Sequence, residues 1–231
     1  MEGDYVVSWF RENENDLHGF IKTVPYCDEH KNVWSPVLVK ILLETCSILD
    51  STWKFRALQS PCVKQKDLGI KKYFQYFGEE LGPRWVVFRT QQAIQIKPFD
   101  VWDKSSYKES DYTDLEWWKV HNELKHDRIK NIKKATLFLA VNALAGLFLA
   151  IVKSDFCREA LVHEGWIAGT EVGNIDENFS NAHLSHALVE SRLFTYPVGW
   201  WNQNISKSHT WQHPGSSRFI KWVDEFETPE Q

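Results

Sequence analysis

Between Ala135 and Val152 the chain runs for eighteen residues that are nearly all apolar, with Asn142 at the centre and lysines at both ends. A helix of that composition must be hidden on every side. It would be about 27 Å long, just short of a bilayer core. Lys133 and Lys134 on one flank and Lys153 on the other leave no charge asymmetry to orient a span. The chain has no other long apolar run, and its mean hydropathy is −0.42. The run is therefore predicted to be the buried central helix of a soluble protein, with a membrane span as the alternative. Asn142, Gly146 and Ala150 recur every four residues and form a small face for another helix or a second subunit.

A length of 231 residues suits a single domain, and 43% hydrophobic with 25% charged residues is ordinary globular usage. A net charge of −4 argues against coating nucleic acid by bulk charge. The four cysteines (Cys27, Cys46, Cys62, Cys157) lie far apart with no CxxC pair, the pattern of reduced thiols in a cytosolic chain. The opening Met1-Glu2-Gly3-Asp4 lacks the basic and apolar regions of a signal peptide, so a cytoplasmic location is expected. Twelve tryptophans are expected to fill a large core and line its rim.

Helical periodicity covers Tyr5–Val24, closed by Pro25. Ser35 as N-cap and Pro36 at the first position open a second helix running to about Leu58. A third follows Lys66-Asp67 and stops at Gly82-Pro83. Trp85–Phe88 and Ala93–Ile96 form a predicted β-hairpin around Thr90-Gln91-Gln92. Thr113 as N-cap with Glu116 three residues on reads as a capping box. From there helical pattern extends from Asp114 to Val152, too long for one straight helix in a domain this size, so a kink or two successive helices is expected.

Residues 155–231 carry eleven carboxylates against five cations. They are expected to form an acidic extension: a short helix at Asp155–His163, turns at Gly165, Gly169 and Gly173, and a helix over Ser180–Ser191. Leu193–Trp201 and Trp211–Pro214 read as irregular or edge-strand segments. The predicted fold is thus one mainly α domain over residues 1–231. It is an antiparallel bundle of four to five helices with a small β-hairpin and a partly irregular C-terminal segment.

Hydrolase-elbow, P-loop and dinucleotide-binding motifs are missing. His183 with His186, and His209 with His213, have metal-compatible spacing but no third ligand placed by the sequence, so no metal is predicted. The dense cluster is Trp117-Trp118-Lys119-Val120-His121-Asn122-Glu123-Leu124-Lys125-His126-Asp127-Arg128. On a continuous helix Trp118, Asn122, Lys125, His126 and Ile129 share a sector of about 100°, bordered by His121 and Arg128. From Lys119 to Lys134 six cations face two acids, a local excess that suits a phosphate backbone. The same pattern also describes a buried polar knot ringed by solvated lysines.

The stretch from His121 to Arg128, followed by a long apolar helix, resembles the YNxxKHxR signature of bacterial proteins related to the HEPN superfamily. The helical layout resembles that family over about residues 30–155. The resemblance implies an all-helical, dimeric bundle, with metal-independent ribonuclease activity in toxin–antitoxin and antiphage settings. It also implies a cleft at the dimer interface lined by Arg, the Asn after it, and a His four to six residues on. His126 would then be the acid/base, Asn122 its orienting partner, and Arg128 a phosphate-neutralising cation; Lys125, His121 and Lys119 would hold RNA. This assignment calls for no cofactor. The sequence departs from the family where His121 stands in place of Arg. Arg11…His18 and Arg158…His163 also match the Arg-to-His spacing. The expected partners are RNA, a second copy of the chain and an antitoxin. The alternatives are a HEPN-like binding or dimerisation module without catalysis, and a membrane-associated effector using Ala135–Val152.

Overall fold

Helix α2, Pro36–Leu58, begins where its sequence says it should. Ser35 is extended, and its Oγ accepts a hydrogen bond from the Leu38 N–H at 3.2 Å, with Pro36 in the first turn. Residues 2–60, 63–90, 93–168 and 187–198 of this computed structural model are described. Around α2 lie α1 (Glu2–Ile21), α3 (Ile70–Leu81), α4 (Glu116–His126), α5 (Arg128–Asn131), α6 (Leu137–Val152) and α7 (Arg158–His163). Chain contacts separate Met1–Ile167 with Val189–Tyr196 from a second unit, Ala168–Leu188 with Pro197–Gln231. The first of these holds the helices.

The architecture is mainly helical with a small antiparallel sheet, as the sequence predicts. Strands β1 (Val86–Arg89) and β2 (Ala93–Ile96) pair antiparallel in the register Val86↔Ile96 to Arg89↔Ala93. The sheet continues through β3 (Ile167–Ala168), β4 (Ala187–Glu190) and β5 (Phe194–Val198) in the order β2-β1-β5-β4-β3. Two expectations for this part are corrected. Ala187–Glu190, predicted as the end of a helix, is a strand, and the rest of that predicted helix, 180–186, lies outside the described residues. The Leu193–Trp201 segment contributes an interior strand rather than an irregular run or an edge: Phe194 and Thr195 pair with Phe88 and Val87. Stacking of Phe194 on Phe88 (5.2 Å) and Phe148 (5.7 Å) supplies the burial that local pattern could not show. Cys62, Gly169, Gly173, both spaced histidine pairs and Trp211–Pro214 also lie outside the described residues.

Fourteen of the sixteen residues of α6 are buried, against α1, α2, α4 and β1. Its first N–H groups are satisfied by a neighbouring segment: Leu137 donates to Val33 O (2.8 Å) and Phe138 to Lys31 O (3.0 Å). The small face of α6 receives α4 through a side chain. A Cβ on Gly146 would lie 3.2 Å from Phe99 Cζ and 3.4 Å from Trp117 Cζ2, so glycine makes room for two rings. Among the described residues no single helix is long and apolar enough to cross a membrane.

The stretch leading into α6 breaks twice, and its start differs from the expected capping box. Thr113 does not cap α4; the helix begins at Glu116 behind an extended Leu115. Trp102 Nε1 donates to Thr113 O at 3.2 Å and Lys104 Nζ to Thr113 Oγ1 at 3.0 Å. Those bonds engage Thr113 before the helix starts. At the far end Asp127 leaves helical geometry, and its Oδ1 accepts from Lys130 N at 3.0 Å, capping α5. Buried Asn131 clamps the break, its Nδ2 donating to Glu123 O at 3.0 Å and Asp127 O at 2.9 Å.

Helix α1 holds the β4–β5 turn by one buried carboxylate. Glu14 Oε1 accepts from Ser191 Oγ (2.5 Å) and Leu193 N (2.7 Å), and Oε2 from Arg192 N (3.2 Å). Burial pushes its pKa above the ordinary carboxylate value, while the three donors act in the opposite direction. Glu14→Ala orphans all three donors and is expected to cost roughly 2 kcal/mol, since the turn can lift towards water. Glu14→Gln, which keeps one acceptor, is expected to lose about half as much in urea unfolding.

Candidate functional site

The cluster read from the sequence is split by the fold. Helix α4 buries Trp117, Trp118, Val120, His121 and Leu124 and turns Lys119, Lys125 and His126 to solvent. Trp118 and His121 therefore face inward while Lys125 and His126 face outward, so the expected common sector does not exist as one surface. Ile129 lies beyond the break, 90% exposed, and Arg128 opens α5 rather than continuing α4. Asn122 is half-buried. One turn apart, Asn122 and His126 make no hydrogen bond to each other, and His126 has no hydrogen-bond partner among the described residues.

His121, a candidate RNA contact by sequence, is 3% exposed and is removed from that role. Its ring packs on Trp118 at 5.3 Å between centroids, and its Nδ1 has no hydrogen-bond partner among the described residues. Burial depresses its pKa to about 4, aided by the Lys125 charge and opposed by Asp50. The imidazole is therefore neutral at neutral pH.

What remains at the surface is cationic. Lys125, Arg128, Lys130 and Lys133 are exposed and form no ion pair among the described residues. Lys134, by contrast, is held by Glu123 at 2.7 Å, which keeps that carboxyl below its ordinary pKa. Asp127 and Asn131 fix the backbone that presents these cations. Sequence reasoning missed both roles, although an Asp-x-x-Lys-Asn run inside a helical pattern is itself a local break signal.

Neither pair that matches the Arg-to-His spacing forms a site. Arg158 and His163 point about 140° apart around α7, and Arg158 bonds Asp155 at 2.6 Å. Arg11 binds Glu164 at 2.6 Å and lies about 10 Å along α1 from His18. Cys46 and Cys157 are buried, and burial pushes the Cys157 thiol up to about 12. A hydrogen bond to Glu29 likewise raises Cys27. These thiols are poor nucleophiles. Among the described residues no three or more His, Cys, Asp or Glu side chains are grouped to hold a metal ion.

A groove of about 900 Å³ lies elsewhere. Its walls are Tyr26, Cys27, Asp28, Glu29 and Lys31, Ile94–Pro98 along and beyond β2, Asp100–Val101, Asp114–Trp117 at the start of α4, and Phe138, Leu139 and Asn142 of α6. A second depression of about 610 Å³ shares Asp28, Lys31, Glu116, Phe138 and Leu139 with it and adds Lys119, Glu123 and Lys134. Of the predicted site residues only Lys119 lines either one. Comparison with known proteins gives no match to a family model, a characterised protein or a solved structure.

Proposed function

We propose that this chain is a HEPN-like helical module that binds RNA through the surface at the α4–α5 break. The observation that carries the reading is the set of four exposed cations, Lys125, Arg128, Lys130 and Lys133, without ion-pair partners among the described residues, on a backbone pinned by Asp127 and Asn131. In a chain of net charge −4 such a cluster is the place where a phosphate backbone finds attraction. His126 and Asn122 sit on the margin of this surface and would contact bound RNA. Binding is favoured over cleavage because a general acid/base needs an orienting partner, and His126 meets none among the described residues. A second copy and an antitoxin remain the partners that the family resemblance proposes.

The test is polarisation binding of a labelled single-stranded RNA across a salt series. Lys125→Ala with Arg128→Ala is expected to weaken binding and to reduce the log–log salt slope by about 1.4, the value for two lost phosphate contacts. Affinity that is insensitive to both salt and these substitutions would sink the reading. Incubation in EDTA separates the ribonuclease alternative: cleavage that disappears in His126→Ala would make the surface an active site.

A further inference from the structure

We infer that the groove beside β2 binds an extended, cationic peptide that adds to the sheet as a further strand. Among the described residues strand β2 is the outermost strand of its sheet and pairs only with β1. Along Ile94–Ile96 no backbone group bonds to anything but β1 among the described residues. Side chains alternate between the two faces of a strand, so a cavity touching one face would be lined by every second residue. This groove is lined by three strand residues in succession, Ile94, Gln95 and Ile96, and so runs along the strand's edge. The three strand residues Ile94–Ile96 give about 10 Å of edge, room for three or four residues of an added strand, and Lys97 and Pro98 carry the wall past its end.

The groove also selects what can enter. Five carboxylates line it, Asp28, Glu29, Asp100, Asp114 and Glu116, against Lys31 and Lys97. Lys31 is held by Asp28 at 2.5 Å, and exposed Asp100 and Glu116 form no ion pair among the described residues. Tyr26, Phe138 and Leu139 add apolar wall beside these charges. A strand entering the groove meets both carboxylates and apolar surface, which favours a sequence that combines cationic and apolar residues. Two copies meeting β2 to β2 would bring like charges together, and RNA would meet the same repulsion. The occupant is thus a basic peptide segment of another protein. This inference does not depend on the RNA-binding surface, which shares none of these residues.

The experiment uses the full chain and a labelled, capped hexapeptide of alternating lysine and valine. Saturable binding is expected, at least tenfold tighter than for the glutamate–valine counterpart. N-methylating the amides of alternate residues gives two further peptides, one blocked on each edge. One is expected to lose at least tenfold and the other to bind nearly as the parent does. Asp100→Asn with Glu116→Gln is expected to weaken the parent peptide at least fivefold. The inference is overturned by absence of saturable binding up to millimolar peptide, by equal behaviour of the two N-methylated peptides, or by equal affinity for the acidic counterpart. The N-methyl comparison needs only the unaltered protein, so it decides the matter even where a variant folds poorly.

Discussion

Trp53→Ala is expected to destabilise the protein by about 4 kcal/mol, the upper range for truncating a buried aromatic. Trp53 is fully buried in α2, and its ring lies within 6.4 Å of those of Tyr73, Phe77, Phe99, Trp102 and Trp118. Those neighbours come from α3, α4 and the segment between β2 and α4. A cavity here would therefore loosen several elements together, and they cannot all collapse into it. Against a total stability of about 5–15 kcal/mol, the loss is large. Thermal unfolding should show a fall in Tm of about 8–16 °C for a chain of this length. Trp53→Phe provides the contrast. It retains most of the ring contact and removes an indole N–H that has no partner among the described residues, so a cost of less than about 1.5 kcal/mol is expected. Equal losses for the two substitutions would show that the ring cluster is not what stabilises this region.

Acidification is expected to remove about 3 kcal/mol of stability through His121 alone. Its pKa of about 4 in the folded chain lies below the ordinary 6.5. The unfolded chain therefore takes up the proton first. Stability is fully present above pH 6.5 and is lost as the pH falls from 6.5 towards 4. Glu14 works in the opposite direction. Its raised pKa makes a contribution that is complete below the ordinary 4.5 and disappears as the pH rises through the folded value. His121→Phe, which keeps a ring against Trp118, should flatten the stability profile between pH 4 and 6.5. Glu14→Gln should steepen it. Urea midpoints measured at half-unit pH intervals for the three proteins check both signs. An unchanged slope in His121→Phe would mean that the imidazole is solvated after all.

Features written in contiguous residues were legible in the sequence. Ser35-Pro36 marks the start of α2 because a side-chain cap and a fixed φ act within one turn. The β1–β2 hairpin and the burial of α6 follow from local pattern in the same way. What was not legible depends on distant partners. Ala187–Glu190 reads as a helix until α1 supplies Glu14, 177 residues before Ser191, to hold the turn that makes it a strand. Thr113 looks like a cap until Lys104 and Trp102 engage it. His121, Asn122 and His126 read as one group because 100° periodicity orders side chains around an axis without saying which side the core occupies. The packing of Trp118 under α2 decides that, and it draws His121 inward. The groove along β2 gave no signal, since an edge strand is defined by the neighbour it lacks.

Helix α6 is apolar on every side, and α1, α2, α4 and β1, which supply most of its enclosure, precede it in the chain, while the rings of Trp166 and Phe194 close on Phe148 afterwards. During synthesis most of the receptacle therefore emerges before the segment it must receive. When Leu137 leaves the ribosome, the segment whose Lys31 and Val33 carbonyls will accept its first hydrogen bonds is already more than a hundred residues out. Vectorial folding thus shortens the interval during which this helix is naked, the interval in which aggregation competes with folding. A circular permutant that places α6 at the N-terminus would keep every native contact and reverse that order. Its penalty would fall on the yield of soluble protein in the cell, leaving the equilibrium stability of the molecules that do fold close to that of the natural chain.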